Sequence, residues 1–267
     1  MTRSTITSHT ADELERRLGL SANSQIEAEA ALVWHSASRT DVGRVRHVNE
    51  DDYLDLNEQH LWLVADGMAG QGRGDYASKA VVDRLKGFTH LTSLSANLND
   101  LRDRLLAVNE QCRNAFRQKR PGTTVALMFA HAGYGFFLWA GDSRIYRLRE
   151  NKLSQLTEDH TLESRHRQGR QTVHAQTQPQ AAHILTRAIG AHKNLRLDLN
   201  YTKVCPGDRF VLCSDGLYNP IKRAEICALA GDGSPEEACA ALVALALERG
   251  ARDNVTVIVV EAAQKAK

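Results

Sequence analysis

Four aspartates stand where apolar segments of this sequence begin or end. Asp66 closes LWLVAD, Asp215 closes RFVLCSD, Asp142 follows FFLWAG, and Asp253 precedes NVTVIVV. A single aspartate in such a place is usually a turn or capping residue. Four of them at the ends of core strands indicate chemistry, because a rigid sheet can hold several carboxylates at one point.

Carboxylates that converge require a cation, because they repel one another and raise each other's pKa values. Oxygen ligands without cysteine or histidine select hard divalent ions such as Mg²⁺ or Mn²⁺. Gly67 and Gly216 directly follow two of the aspartates and let the backbone approach an ion, so that the Gly67 carbonyl is a candidate ligand. Four carboxylates match the charge of two divalent cations, and the sequence therefore predicts a binuclear site.

A charged segment, GRVRHVNEDDY, precedes the first of these aspartates and occupies residues 43–53. If this segment pairs near Asp66, the Arg46 guanidinium can fork onto a phosphate held at the metals. Glu50 and Asp51 would then hold metal-bound waters. The alternative interpretation is a solvated run of charges with no chemical role.

A nucleotide-binding loop and a cysteine phosphatase site are both disfavoured, because the motifs that each requires are absent. The glycine-rich segment GMAGQGRGD, which begins at Gly67, lacks the Lys-Ser or Lys-Thr of a P-loop and is followed by helical patterns, unlike a dinucleotide fingerprint. The 5 cysteines form no C-x-x-C pair, and none has an arginine six positions later, as a cysteine phosphatase requires. They are expected to be inert thiols in a reducing compartment.

Composition excludes further classes of protein. The chain has 267 residues, 42% of them apolar and 25% charged, and its 34 basic and 32 acidic side chains give a net charge of +2. This balance favours neither nucleic acid nor an anionic membrane as a partner. No apolar run approaches the roughly 18 residues that span a bilayer. Because the N-terminus also lacks the apolar stretch of a signal peptide, we expect a cytoplasmic protein.

Two segments are expected to lie outside the packed core. Residues 1–30 are polar and read as a flexible N-terminal extension, with a short helix over 11–18 that Thr10 and Glu13 cap. Residues 161–182 hold 5 glutamines and 3 arginines with almost nothing apolar, which predicts a mobile surface flap. The remaining chain, residues 31–262, is expected to form one domain.

Periodicity within that domain predicts strands joined by short turns and helices in two pairs. Amphipathic helices are predicted over 76–88 and 97–119, an antiparallel meander over 123–157, and helices over 223–230 and 235–249, the last with a capping box of Ser234 and Glu237. This order does not fit a doubly wound parallel sheet. It fits an α+β antiparallel sandwich flanked by helices.

The motifs VRHVNED, VADGMAGQGRGDYAS, PGTT, AGDSRIYRLR, LTEDHT, LTRAIG, CSDGL and RDNVTVIVV follow one another across residues 43–260. Together they resemble the metal-dependent protein serine/threonine phosphatase family, type 2C, in its compact bacterial form. The resemblance implies a four-layer α-β-β-α sandwich with two central antiparallel sheets. It also implies a centre of two Mn²⁺ or Mg²⁺ ions.

The resemblance further implies a role for each matching residue. Asp66 corresponds to the ligand that bridges both ions, Gly67 to the carbonyl ligand, Asp215 and Asp253 to the other ligands of the first ion, Glu50 and Asp51 to partners of the second ion's waters, Asp142 to the ligand of a third, weaker ion, Arg46 to the phosphate-binding arginine, and Asn254 to the neighbour that completes the last metal motif. Met68 stands where animal members carry a candidate histidine, so the general acid stays unassigned.

The expected function is hydrolysis of phosphoserine and phosphothreonine in proteins by a metal-activated hydroxide. The expected partners are the phosphorylated substrates of a cognate serine/threonine kinase, and a monomer is expected. The chain departs from the family pattern at Ala69, Gln71 and the Gln178-Pro179 pair. These departures leave one alternative, a catalytically impaired pseudophosphatase that binds phosphoproteins.

Overall fold

The computed structural model describes residues 4–20, 32–68, 73–116, 120–167 and 184–265. The strands are β1 (Ser4–Thr5), β2 (Leu32–Asp41), β3 (Asp51–Leu56), β4 (Leu61–Met68), β5 (Gly122–Thr123), β6 (Val125–His131), β7 (Tyr134–Ala140), β8 (Arg144–Arg149), β9 (Lys152–Gln155), β10 (Asp198–Lys203), β11 (Arg209–Cys213) and β12 (Val255–Gln264). The helices are α1 (Ser8–Leu18), α2 (Gly74–Lys86), α3 (Leu94–Ala115), α4 (Leu162–Arg167), α5 (Asp215–Tyr218), α6 (Arg223–Gly231) and α7 (Pro235–Glu248).

These strands form two antiparallel sheets. The first has 7 strands in the order β1-β10-β7-β6-β4-β3, with β5 paired to β4. The second has 5 strands in the order β2-β12-β11-β8-β9. Its longest ladder joins β2 to β12, from Asp41 opposite Val255 to Leu32 opposite Gln264.

Three apolar layers separate the sheets and helices. Trp62, Phe137 and Phe210 are fully buried between the two sheets. A second layer lies between the first sheet and helices α1, α2 and α3, and a third lies between the second sheet and helices α5, α6 and α7. Burial of these faces is the main stabilising term. The prediction of a four-layer α-β-β-α sandwich is confirmed.

The prediction of one continuous meander over residues 123–157 is wrong. Strands β6 and β7 form a hairpin of the first sheet, whereas β8 and β9 form a hairpin of the second. The chain crosses between the sheets at Gly141, whose φ of +122° favours glycine and where a Cβ would lie 2.6 Å from the Thr124 side chain. This crossing leaves Asp142 at the junction of the two sheets.

Residues 4–20 differ from the flexible extension expected. Strand β1 pairs with β10, and helix α1 packs its buried Ala11 and Leu14 against α3. Thr7, not Thr10, is the N-cap, because the Thr7 side chain accepts the Thr10 N–H at 3.1 Å. The few apolar residues of this helix all lie on one face, and the polar overall composition of residues 1–30 does not reveal such an arrangement. The domain boundary at residue 30 stays a prediction.

The helices of the second sheet agree with their predicted limits. Ser234 and Glu237 form the predicted capping box of α7, with the Glu237 N–H donating to Ser234 Oγ at 3.2 Å and the Ser234 N–H to Glu237 Oε2 at 2.7 Å. Across the described ranges, no helix combines the length and apolar character that crossing a membrane requires.

Candidate active site

Asp66 and Asp51 face each other across two strands of the first sheet. The β3–β4 register sets Asp51 opposite Asp66. The Asp66 backbone is held from the neighbouring segment, since its N–H donates to Thr124 Oγ1 at 3.0 Å and its carbonyl accepts from Thr123 Oγ1 at 2.9 Å. Two carboxylates are thereby fixed at one end of the sheet.

Asp51 also joins the two sheets. Its Oδ2 accepts hydrogen bonds from Ser214 Oγ at 2.8 Å and from Thr256 Oγ1 at 2.7 Å, and both hydroxyls belong to segments of the second sheet. The Asp51 side chain is buried, with 9% of the residue exposed. A buried carboxylate with two donors is held in one orientation.

The other three aspartates come from the second sheet and from the crossing. Asp215 begins α5 directly after β11, and its Oδ2 accepts from Asn219 Nδ2 at 3.1 Å. Asp253 immediately precedes the segment that leads into β12. The carbonyl of Asp142 accepts from Tyr218 Oη at 3.0 Å, which ties the crossing to α5.

Glu50 and Gly67 meet at the start of helix α2. The Gly67 N–H donates to the Glu50 carbonyl at 3.1 Å, and the Gly74 N–H donates to Glu50 Oε1 at 2.9 Å. A Cβ on Gly67 would lie 2.3 Å from the Glu50 carbonyl oxygen and 2.5 Å from the Gly74 backbone. Glycine is therefore required at position 67 by close backbone packing.

Burial and mutual repulsion raise the pKa values of three of these aspartates. Burial, together with the charges of Asp215 and Asp253, raises the pKa of Asp51 to about 7. Burial, together with the charges of Asp215 and Asp159, raises the pKa of Asp142 to about 7. Burial also raises the pKa of Asp66 strongly, and Asp51 is its largest charged contributor. These mutual effects support the predicted convergence of the carboxylates, which stays a prediction.

This donor set fits hard divalent cations. The candidate ligands are carboxylate oxygens, and their mutual repulsion would be relieved by positive charge among them. Within the described part of the chain, no three acidic, histidine or cysteine side chains already form a ligand cage. Carboxylates that repel one another would be expected to close around a cation only when it binds.

Arg46 lies at the edge of this group, in the loop that leads into β3. The loop joins β2 to β3, and Arg46 Nη2 donates to Asp253 Oδ2 at 2.7 Å. This hydrogen bond raises the pKa of Arg46. The side chain of Arg46 is 52% exposed, so a ligand from solvent can reach it.

Asn254 holds the Arg46 loop in place, a role that the metal-motif assignment did not foresee. Its Nδ2 donates to the carbonyls of Val42 at 2.9 Å and Val48 at 3.0 Å. Its Oδ1 accepts the Glu50 N–H at 2.9 Å. One buried amide therefore fixes both ends of the loop and joins it to β12.

His160, Asp198 and Arg187 form a second group that the sequence reasoning missed as functional residues. His160 Nδ1 accepts the Gly141 N–H at 3.1 Å, so its Nε2–H is left to donate to Asp198 Oδ2 at 3.1 Å. Arg187 Nη1 donates to Asp198 Oδ1 at 2.6 Å. The group supports the crossing that carries Asp142. Its histidine lies in the motif LTEDHT and its arginine in the motif LTRAIG, and these motifs were the available signals.

Several sequence expectations fall outside the part of the structure that is described. Ala69, Gln71 and the Gln178-Pro179 pair lie there, as do residues 168–182 of the flap and the side chains of Arg165 and Arg167. The base of the flap is described: Thr161 pairs with Leu185, and the Leu162 N–H donates to the Ile184 carbonyl at 3.0 Å.

Comparison with known families and proteins gives one consistent match. The model of the family described as protein phosphatase 2C matches residues 43–247. The serine/threonine phosphatase stp of Listeria welshimeri is 32% identical over 240 residues, which cover 85% of this chain and 95% of that protein.

Solved structures agree with this match. PppA, described as a key regulatory component of T6SS in Pseudomonas aeruginosa, is 38% identical with a TM-score of 0.80, over 87% of this chain and 99% of that one. The catalytic domain of the serine/threonine protein phosphatase PstP, solved in complex with two manganese ions, is 32% identical with a TM-score of 0.74, over 87% of this chain and 99% of that one.

Proposed function

Because this chain belongs to the protein phosphatase 2C family, we propose that it hydrolyses phosphoserine and phosphothreonine in proteins at a centre of two Mn²⁺ or Mg²⁺ ions. The observation that carries the proposal is the group of aspartates where the two sheets meet, in which Asp51 lies opposite Asp66 and accepts hydrogen bonds from Ser214 and Thr256. Such a group is unfavourable unless cations neutralise it.

We assign the metal ligands to the predicted residues. Asp66 would serve as a ligand of both ions, and the Gly67 carbonyl, Asp215 and Asp253 would be the other ligands of the first ion. Glu50 and Asp51 would hold waters of the second ion, and Asp142 would be a ligand of a third, weaker ion. Two bound divalent ions would supply a water of lowered pKa and positive charge for the phosphate oxygens.

Arg46 is the residue proposed to bind the substrate phosphate. In the structure the Arg46 guanidinium forms an ion pair with Asp253, and both side chains are more than a third exposed. The ion pair is therefore weak, and a phosphate can replace Asp253 as the partner of Arg46. A phosphate dianion offers the guanidinium a bidentate partner of higher charge. Asn254 keeps the loop of Arg46 beside Asp253, which limits the movement that this exchange requires.

The proposed partners are phosphoproteins modified by a cognate serine/threonine kinase, and the chain is proposed to act as a cytoplasmic monomer in signalling. The named relatives are serine/threonine phosphatases, and PppA is described as a regulatory component, which supports a regulatory role. The alternative of a phosphoprotein-binding pseudophosphatase has no support from the comparisons. Every proposed metal-binding carboxylate is also present.

Asp66→Asn tests the proposal. Hydrolysis of p-nitrophenyl phosphate and of a phosphothreonine peptide should require Mn²⁺ or Mg²⁺ and resist iodoacetamide. Asp66→Asn should lower kcat by more than about 100-fold through loss of the bridging ligand. Asp83→Asn removes an exposed carboxylate of helix α2 and serves as the matched control. Full activity in excess EDTA, or an active Asp66→Asn variant, would refute the binuclear centre.

A further inference from the structure

A cleft of about 330 Å³ opens beside the carboxylate group. It is lined by Gly216, Asn219, Pro220, Arg249, Arg252 and Asp253. Asp253 belongs to both the cleft and the carboxylate group, and Gly216 of the lining directly follows Asp215. A molecule held at the aspartates would therefore extend directly into this cleft.

The two arginines of the cleft have different roles. Arg249 Nη1 donates to Glu225 Oε2 at 2.7 Å and to the Pro220 carbonyl at 3.0 Å, so its charge is neutralised and it forms part of the wall. Arg252 is exposed and makes no hydrogen bond or ion pair with any residue that the structure describes. The charge of Asp253, the one carboxylate in the lining, is paired with Arg46. Arg252 thus leaves the cleft with an uncompensated positive charge.

The loop beside the cleft suits a polypeptide more than a small anion. The Arg44 N–H donates to the Ala251 carbonyl at 2.9 Å, which sets the loop against the segment that carries Arg252. On this loop Val45 is 59% exposed and Val48 is 52% exposed, on either side of Arg46. Exposed apolar side chains next to a charged site are typical of surfaces that bind protein chains.

We infer that the cleft is an accessory subsite for an anionic side chain of the protein substrate, located beside the phosphoserine or phosphothreonine that is hydrolysed. This inference rests on the proposed function and narrows its substrate class to phosphoproteins with an acidic or second phosphorylated residue near the target. Arg252 is the recognising group. The attraction is exposed, so it adds selectivity and depends on salt.

Kinetics with matched peptides test the subsite. The substrates are p-nitrophenyl phosphate, a phosphothreonine peptide with neutral flanks, the same peptide with glutamates on either side, and the same peptide with a second phosphothreonine. The wild type should prefer the anionic peptides over the neutral one. Arg252→Ala should reduce this preference by about 2- to 5-fold, the range of exposed charge pairs, and Arg252→Glu should reverse it. The Glu and phosphothreonine peptides separate the two sources of negative charge.

Two controls separate recognition from support of the metal site. Lys152→Ala removes one exposed positive charge at the far end of the second sheet and should leave the preference unchanged. Turnover of p-nitrophenyl phosphate and its half-saturating Mn²⁺ concentration should be the same in the wild type and Arg252→Ala. If Arg252→Ala lowers the turnover of all substrates equally or changes the half-saturating Mn²⁺ concentration, Arg252 acts by positioning Asp253 and the subsite is refuted.

Binding without turnover keeps the inference independent of catalysis. In an NMR titration with EDTA, a glutamate-flanked peptide with alanine in place of phosphothreonine should shift the amide signals of residues 216–219 and 249–253, and Arg252→Glu should abolish these shifts. A wild type without peptide preference, or shifts elsewhere, would overturn the subsite. Failure of the proposed function would look different, with no Mn²⁺-dependent hydrolysis of any substrate.

Discussion

Removing the Asn254 amide should uncouple the Arg46 loop from the second sheet. Asn254→Ala deletes two donors, to the Val42 and Val48 carbonyls, and the acceptor of the Glu50 N–H. Each lost hydrogen bond costs about 1 kcal/mol, and more where the partner stays buried. Because the loop is exposed and water can reach its carbonyls, we expect a total loss of about 2 to 4 kcal/mol in the free energy of unfolding.

The loosened loop should also weaken phosphate binding. We expect Asn254→Ala to lower kcat/KM for p-nitrophenyl phosphate by about 10-fold, mainly through KM, since Arg46 would no longer be held beside Asp253. Urea denaturation followed by tryptophan fluorescence gives the stability change, and Asn194→Ala is an exposed asparagine control. If both variants share the wild-type urea midpoint and kcat/KM, the amide does not hold the loop.

Three further predictions follow from single side chains. Arg46→Ala should raise KM and lower kcat/KM by about 1.5 to 3 kcal/mol in transition-state free energy, and unchanged kinetics would contradict its phosphate role. Burial and the nearby His90 lower the pKa of His131 to about 4, so between pH 7 and pH 4 the unfolded chain binds a proton at this residue that the folded chain does not bind. The free energy of unfolding therefore falls with pH over this range. His131→Gln should remove up to about 3 kcal/mol of that loss, as measured by urea titrations at the two pH values. Glu15→Ala should lower the free energy of unfolding by about 1 kcal/mol, because the Glu15 carboxylate accepts the Leu94 N–H at 2.8 Å and caps α3. An unchanged urea midpoint would exclude that cap.

The sheet sandwich and the meeting of the aspartates could be predicted from sequence because both depend on local signals. Apolar runs mark the strands, and an aspartate at the end of such a run lies at the edge of a sheet wherever that sheet packs. The capping box of Ser234 and Glu237 is equally local, and it marked the start of α7 correctly.

What could not be predicted depends on partners that are distant in the chain. Periodicity cannot tell whether two successive hairpins share a sheet, so the crossing at Gly141 was missed. The partner of Arg46 is 207 residues away, and that of Asn254 Oδ1 is 204 residues away. His90 and His131, joined at 2.8 Å between ring nitrogens, stand 41 residues apart without any motif.

The long ladder between β2 and β12 has a consequence for the chain while it is being synthesised. Leu32 pairs with Gln264, so the second sheet cannot close until nearly all of the domain has left the ribosome. Until then Asp253 is absent, and Asp51 lacks the hydroxyl of Thr256 that helps to hold it. A nascent phosphatase would therefore be inactive however far its first sheet has formed. Enzymatic activity thus reports completion of the whole fold, since in a fragment that stops short of β12 strand β2 lacks its partner and Asp51 lacks the Thr256 hydroxyl.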